Sequence, residues 1–407
     1  MNDTARPTTF TIRNVRLPDG RAVDVSIVDG TFRSFDPASR NGAAGSALDG
    51  AGRLMLPGLV EAHTHLDKTL WGMPWRPNSA GPLLIDYIEN ERQVRRTLNV
   101  PVGTRAAALL EQMISLGSVY VRSHVDVDPE IGLSSVEALL ELREKVRGRC
   151  HLDLVAFPQF GMLTNPGTAE LMEQSLKLGV DAMGGIDPAG IDRDANRHLE
   201  FVFGAAVRQG RRIDIHLHDS GDLGVWQIGM IADLTEAHGL KGRVMISHAY
   251  CLGTLDAGRL DPLAQRLADL GISILTTAPA EGSIPPAAAL LAAGVNLCCG
   301  SDGVRDSWSP FGTGDMLERA MLLAYRFDWG KDAQLQAALD ASSVNGARAI
   351  GIENFGLRPG APADFVLVEA ETVGDAIMRR PPDRLVFHRG RLAAGAQPGA
   401  SRGAVPQ

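Results

Sequence analysis

Cysteine is scarce in this chain, and no CxxC pair occurs: the 407 residues hold only Cys150, Cys251, Cys298 and Cys299. A disulfide framework is therefore not expected. Four buried free thiols in a reducing compartment are the reading, with a thiolate metal site as the alternative. An excess of basic charge is also lacking. Forty Lys and Arg stand against 48 Asp and Glu, for a net charge of −8. This argues against a surface that tracks phosphates, so no nucleic-acid partner is expected. No apolar stretch approaches the roughly 20 residues needed to span a bilayer, which argues against a membrane partner. The N-terminal residues lack an apolar signal core, so a cytoplasmic location is expected. A Gly-rich phosphate loop after the first barrel-type strand is missing too, which counts against a dinucleotide-binding open sheet.

What is present is ordinary for a globular enzyme: 44% hydrophobic and 22% charged residues. The length suits a large barrel with a smaller domain beside it. Short apolar segments alternate with helical patterns. Eight candidate strands are 54–60, 118–123, 152–157, 182–186, 213–215, 244–247, 272–275 and 295–300. Helix-like stretches between them include 102–116, 134–146, 168–178, 193–208, 225–238 and 261–270. Eight alternating units predict an α/β fold, a (β/α)₈ TIM-like barrel with its active site at the C-terminal ends of the strands. An open doubly wound sheet is the runner-up. The chain ends read differently. Strand-like segments at 10–15, 22–28, 364–369 and 384–388, with turns at Pro18-Asp19-Gly20 and His388-Arg389-Gly390, predict a small β-sandwich built from both termini. The expected division is 1–55 with 350–407 for the sandwich and 56–349 for the barrel. Tails at about 1–8 and 394–407 are expected to be disordered.

Against this frame one motif carries most information. His63-Thr64-His65 ends the first apolar run, and residues i and i+2 of a strand point to the same side. Two imidazoles leaving a strand end together can begin a metal site. Polar residues recur at the other expected strand ends: Ser123-His124-Val125-Asp126, Phe157-Pro158-Gln159, Gly185-Ile186-Asp187, His216-Leu217-His218-Asp219, Ser247-His248 and Ser301-Asp302. Of the ten histidines, His63, His65, His124, His216, His218 and His248 fall there. His63, His65, His216 and Asp302 can form a mononuclear site with an open position for water. Such an ion makes water nucleophilic near neutral pH, and His248 is the candidate base.

These motifs together, over nearly the whole chain, resemble the amidohydrolase superfamily and, within it, the cytosine deaminase-like subgroup and its triazine-acting branch. The stretches that carry the likeness are Glu61 to Lys68, Ser123 to Asp128, His216 to Gly221, Ser247 to Cys251 and Ser301 to Gly312. The resemblance implies that His63, His65, His216 and Asp302 bind one divalent ion per subunit, zinc first, with iron or manganese as alternatives. It implies that His248 orients water and shuttles its proton, with Asp302 as a second proton acceptor. The implied activity is hydrolysis of an exocyclic C–N bond, by deamination or dealkylamination, on a pyrimidine or s-triazine. A small heterocyclic substrate and a homo-oligomer are expected. Binuclear branches carry a lysine or glutamate at the fourth strand end, where this chain has Gly185-Ile186-Asp187, so one ion is expected. The alternative activity is a cyclic amidase of the hydantoinase or dihydropyrimidinase kind.

Departures from the subgroup shape the remaining expectations. Asp219 stands where cytosine deaminases have a glutamate that protonates the ring, and His218 precedes it. Lys68, His218 and Asp219 are therefore candidate proton donors, Lys68 through a pKa lowered by a nearby ion. Its structural alternative is a salt bridge to Asp187 or Asp126. Gln159 is expected to read a ring amide edge as donor and acceptor at once. Gly303 replaces an acidic residue, which implies a roomier pocket with one polar contact fewer. Trp308, Trp71 and Trp75 are candidate pocket walls. Asp187 is expected to bind substrate or support the ligands, His124 to support rather than ligate, and His238 to lie on the surface. His388 is assigned no role.

Overall fold

The computed structural model describes residues 9–39 and 47–395. Two eight-stranded sheets account for its strands. The first is an all-parallel barrel sheet of Leu59–Thr64, Ser118–Asp126, His151–Phe157, Ala182–Ile186, Arg212–Leu217, Val244–His248, Ser273–Thr276 and Leu297–Cys299, each paired with the next. Contacts between the first and eighth strand ends close it: the Asp302 N–H donates to the His63 carbonyl at 2.8 Å, and Thr64 bridges to Asp302. The strands are almost wholly buried because helices cover them outside and their inward side chains meet inside, which is why they read as continuous apolar runs. All eight expected barrel strands are present.

The second sheet is built from both chain ends, in the order Arg391–Ala394, Arg384–His388, Phe365–Val368, Leu54–Pro57, Thr9–Arg16, Ala22–Val28 and Thr31–Pro37, with Ala47–Asp49 beside Thr9–Arg16. It has its own core, in which Ile12, Val25, Phe32, Phe365 and Phe387 pack, separate from that of the barrel. Phe365 and Phe387 stack with ring centres 4.5 Å apart.

One expected strand is two. The run 54–60 breaks at Gly58: Leu54–Pro57 pairs with Phe365–Val368, and Leu59–Thr64 opens the barrel. A Cβ at Gly58 would lie 2.4 Å from a Val119 methyl, so only glycine lets the chain cross between sheets here. Unbroken hydrophobicity hides this crossing, since both halves are buried. The helix Leu84–Thr97, not foreseen in the sequence, lies between the first barrel strand and Val102–Ser115. Expected disorder at 1–8 and 396–407 lies outside the described residues, whereas Ala394 ends a strand. All four cysteines are buried and unpaired. Among the described residues, no helix is long and apolar enough to cross a membrane.

Candidate metal centre at the barrel mouth

The first barrel strand delivers His63 and His65 side by side, with ring centres 5.5 Å apart. The fifth strand brings His216 so that its Nε2 lies 3.4 Å from Nε2 of His65. From beyond the eighth strand, Asp302 places Oδ1 3.2 Å from His65 Nε2 and 3.6 Å from His63 Nε2. The sixth strand adds His248, whose ring centre is 5.0 Å from that of His216. Two of these positions, and Asp187 just past the fourth strand, carry backbone strain: φ is +72° at His248, +60° at Asp302 and +32° at Asp187. Left-handed φ is unusual for residues with a side chain, and it clusters where a site dictates direction.

Hydrogen bonding fixes which nitrogen of His63 is bare. Ser247 Oγ donates to Asp214 Oδ1 at 2.8 Å, since a carboxylate only accepts. The same hydroxyl lies 3.0 Å from His63 Nδ1, so it accepts the Nδ1 proton and leaves Nε2 with a lone pair toward Asp302. Burial would raise the Asp214 carboxyl, but His124 and Arg122 hold it well below the carboxylate range. Arg122 is fully buried, with Nε 2.5 Å from Asp153 Oδ1. Burial, together with neighbouring positive groups, pushes His65, His216 and His248 well below the usual imidazole range.

A divalent ion fits these residues. His63 Nε2 and His248 Nε2 are buried and make no hydrogen bond. Ligand atoms of His63, His216, His248 and Asp302 lie within 4.8 Å of one another, as do those of His63, His65, His124 and His216. Neutral imidazoles and a carboxylate crowded together, with few protons between them, are the donor set of a first-row metal. His124 is closer in than expected. Its ring centre is 4.2 Å from that of His63, its Nε2 faces Asp214 at 3.5 Å, and burial lowers its pKa to about 4.

The walls differ from expectation in several places. Lys68 is deeply buried; its Nζ lies 3.1 Å from Asp126 Oδ1 and 3.3 Å from Glu91 Oε2, and it donates to Gln159 Oε1. Burial would lower its pKa, but Asp126, Glu91 and Asp67 overcome that and hold it above the lysine range. The lowered Lys68 pKa expected from sequence is thus not found. Of the two salt-bridge partners expected for Lys68, Asp126 is the one met, and Asp187 is not. Asp187 instead binds His218: Oδ2 lies 2.7 Å from His218 Nδ1, and Oδ1 accepts from the His218 and Asp219 N–H groups. Burial would lower His218, but the Asp187 charge and hydrogen bond raise it. Its ring stacks on His248 at 4.4 Å. The Asp219 carboxylate accepts from the Gly190 N–H, beyond the fourth strand, and from Gln227 Nε2 on the following helix, and makes no hydrogen bond to the histidine cluster among the described residues. Nor is there a vacancy at Gly303: a Cβ there would lie 2.2 Å from Asp306 Oδ2, so that carboxylate fills the space expected to be roomier.

Trp308 lies beside Lys68, stacks on Tyr87 at 5.5 Å, and donates Nε1–H to Glu91. Trp71 is half-buried and Trp75 is 65% exposed, so Trp75 lines no closed wall. His238 is exposed after a helix, and His388 is buried against Asp364 in the terminal sheet. Glu91, Arg122 and Asp214 escaped the sequence reading. Asp214 and Arg122 had a signal: Asp214-His216-His218 and Arg122-His124-Asp126 each alternate along one strand face. Glu91 had none, being one acidic residue among several on an amphipathic helix.

Comparisons with known proteins agree with this geometry. The model of a family described as the amidohydrolase family matches residues 102–393. The N-isopropylammelide isopropyl amidohydrolase of Pseudomonas sp. (strain ADP) is 31% identical over 395 residues, covering 94% of this chain and 96% of that protein. The crystal structure of N-isopropylammelide isopropylaminohydrolase from Burkholderia multivorans ATCC 17616 is similar with a TM-score of 0.91 and 42% identity, over 96% of this chain and 100% of that one. A 5-methylcytosine deaminase from Klebsiella pneumoniae, liganded with 5-fluorocytosine, gives a TM-score of 0.84 and 28% identity, over 97% and 99%. The likeness expected from the strand-end motifs, to the superfamily and to its deaminase-like and triazine-acting members, is met.

Proposed function

The chain belongs to the amidohydrolase family, and from that premise we propose that it is a metal-dependent hydrolase releasing ammonia or an alkylamine from a ring carbon of a small nitrogen heterocycle, a pyrimidine or s-triazine. The observation that carries this reading is the convergence of His63, His65, His216 and Asp302 at the barrel mouth, with His248 beside them. Those four residues would hold one divalent ion, zinc first, with iron or manganese as alternatives. Such an ion supplies Lewis acidity and lowers the pKa of a bound water.

The protein's own groups divide the remaining work. His248 is buried and neutral, its Nδ1 lies 3.3 Å from the Tyr250 hydroxyl, and its free Nε2 can take a proton. Asp302 is the second acceptor. His218, gripped at Nδ1 by Asp187, has no hydrogen-bond partner at Nε2 among the described residues and stacks on His248, so it suits transfer of that proton to the departing amine. Asp219 supports the loop that carries His218 rather than meeting substrate. Trp308 forms a flat side wall and Gln159 meets the ring. The cyclic amidase alternative finds less support. A Cβ at Gly184 would lie 2.2 Å from the Ala156 carbonyl oxygen and one at Gly185 2.7 Å from His198 Nε2, which leaves the fourth strand end no room for a larger ligand residue. A small heterocycle as the partner, a homo-oligomer and the cytoplasm complete the reading, on the acidic composition and the family.

The test pairs metal analysis with amine release from cytosine, isocytosine, ammeline, ammelide and N-alkylammelides. About one ion per chain and turnover of at least one ring is the expected result. Full activity after the ion is stripped, or in His63→Ala, would sink the proposal.

A further inference from the structure

The helix Leu84–Thr97 lies across the barrel mouth and is held there mainly by polar contacts. It meets the end of the first strand through Glu91 Oε2, 3.3 Å from Lys68 Nζ, and the second through Arg95 Nη1, 2.7 Å from Asp128 Oδ2. Arg92 and Arg95 lie over the Phe160 ring beyond the third strand, and Asn90 Nδ2 donates to the Ser307 carbonyl beyond the eighth at 3.3 Å. Of its 14 residues only Ile88 and Glu91 are buried, whereas Val102–Ser115 beside it buries Arg105, Ala106, Leu109, Leu110, Met113 and Ile114. Leu83 and Ile85 at its start are exposed. Its seat is a cavity of about 30 Å³, room for about two waters, lined by Asp67, Lys68, Glu91, Arg95, Arg105 and Asp126 among others. Of these lining groups, Asp67 Oδ1, Asp126 Oδ1 and Arg95 Nε are buried without a hydrogen bond among the described residues. The chain leading into the helix carries Gly72, Pro74, Pro77, Gly81 and Pro82 and forms neither helix nor strand. A segment with little apolar burial and a polar seat opens readily, and lids are drawn from such segments.

The inward face of this helix also shapes the pocket. Tyr87 and Glu91, one turn apart, share that face: Tyr87 stacks on Trp308 at 5.5 Å, and Glu91 accepts the Trp308 indole N–H. We propose that the helix Leu84–Thr97 is a lid that lifts to admit the ring and closes over it, and that Tyr87 and Glu91 are positioning residues that set the Trp308 wall as it closes. With the lid up, Trp308 loses both its stacking partner and its acceptor, and Lys68 loses Glu91 and is uncovered. A ring lying against Trp308 binds the closed form better than the open one and so shifts the lid toward closure. The inference rests on the proposed use of this site for a heterocycle, but not on any bond being cleaved.

Hydrogen exchange and lysine labelling of the metal-loaded full chain test it together. A helix of 14 residues lifted from its seat frays, so its amides exchange while Lys68 becomes open to acetic anhydride. Amides of 84–97 are expected to exchange at least about tenfold faster than those of 102–115, with Lys68 acetylation keeping pace. Glu91→Gln should raise both rates about tenfold, and so should Arg95→Gln, which leaves the Lys68 and Trp308 contacts in place. At least one of cytosine, isocytosine, ammeline and ammelide, at saturation, should slow both rates. In Tyr87→Leu that slowing is expected to shrink about threefold or more, and Tyr87→Phe, which keeps a stacked ring, should restore it. Equal exchange of the two helices, Lys68 labelling that does not follow 84–97, or slowing by no ring overturns the proposal. Slowing by a ring without amine release would keep the lid and remove the hydrolase reading.

Discussion

Replacing Ser247 by alanine should loosen the metal without touching a ligand. The Ser247 hydroxyl sits between Asp214 Oδ1 at 2.8 Å and His63 Nδ1 at 3.0 Å, and among the described residues no other group takes the His63 Nδ1 proton. Its removal frees His63 to carry that proton on either nitrogen and to rotate, so the lone pair that faces Asp302 is no longer guaranteed. Outer partners of this type are worth about 10- to 100-fold in metal affinity, or roughly 1.4–2.8 kcal/mol. Asp214 also loses one donor, although Arg122 Nη1 at 3.2 Å remains, so unfolding stability should fall by about 1–3 kcal/mol. The two effects separate experimentally. A competitive titration against a chromophoric chelator reads affinity, and thermal unfolding in excess chelator reads the metal-free fold. A Ser247→Ala protein that unfolds near the wild-type temperature and holds its ion within twofold would refute the tautomer argument.

Other predictions follow from single features. Burial, together with the Asp302 charge, pushes the Asp306 carboxyl up to about 7, so its folded form keeps a proton that the unfolded chain has released above about 4. The metal-free protein should therefore lose stability as pH rises from about 4 to 7, by at most about 4 kcal/mol. Asp306→Asn should flatten that slope in urea titrations, and an unchanged slope would assign it elsewhere. Gly300→Ala should lower both stability and ion content, because the new Cβ would lie 2.7 Å from the His63 carbonyl oxygen; circular dichroism with metal counting checks this. Asp187→Asn should cut kcat more than KM by weakening the grip on His218, while leaving ion content near one per chain. Equal ion loss would instead make Asp187 a support of the ligands.

Much of this was legible in the chain because strands and barrels obey strict alternation. His63 and His65 share a face by period two, and the remaining polar residues sit where successive strands stop, so an ion site could be placed before any coordinates. The same rule, applied to Asp214 and Arg122, would have found the groups behind the ligands. The rest was hidden for physical reasons. Gly58 divides an unbroken apolar run between two sheets, and hydrophobicity is blind to which sheet buries a residue. Lys68 carries no mark in its neighbours along the chain of the three acceptors that surround it, since Glu91, Asp126 and Gln159 come from a helix and two other strand ends. Asp306 fills the space over Gly303 only because a loop folds back. Such meetings are set by tertiary packing, which sequence spacing does not encode.

The barrel's seam passes through the candidate ion site. His63 lies on the first strand and His65 just past its end, Asp302 lies just past the eighth, and the Asp302 N–H to His63 carbonyl bond joins the two ends at 2.8 Å. An ion held across that seam would act as a clasp on the ring of strands. During synthesis the site stays incomplete until nearly all of the barrel has been made, so the ion can be captured in full only as the ring shuts. Binding an ion there would favour the closed ring over the open one by mass action, so the ion would stabilise the whole barrel as well as its mouth.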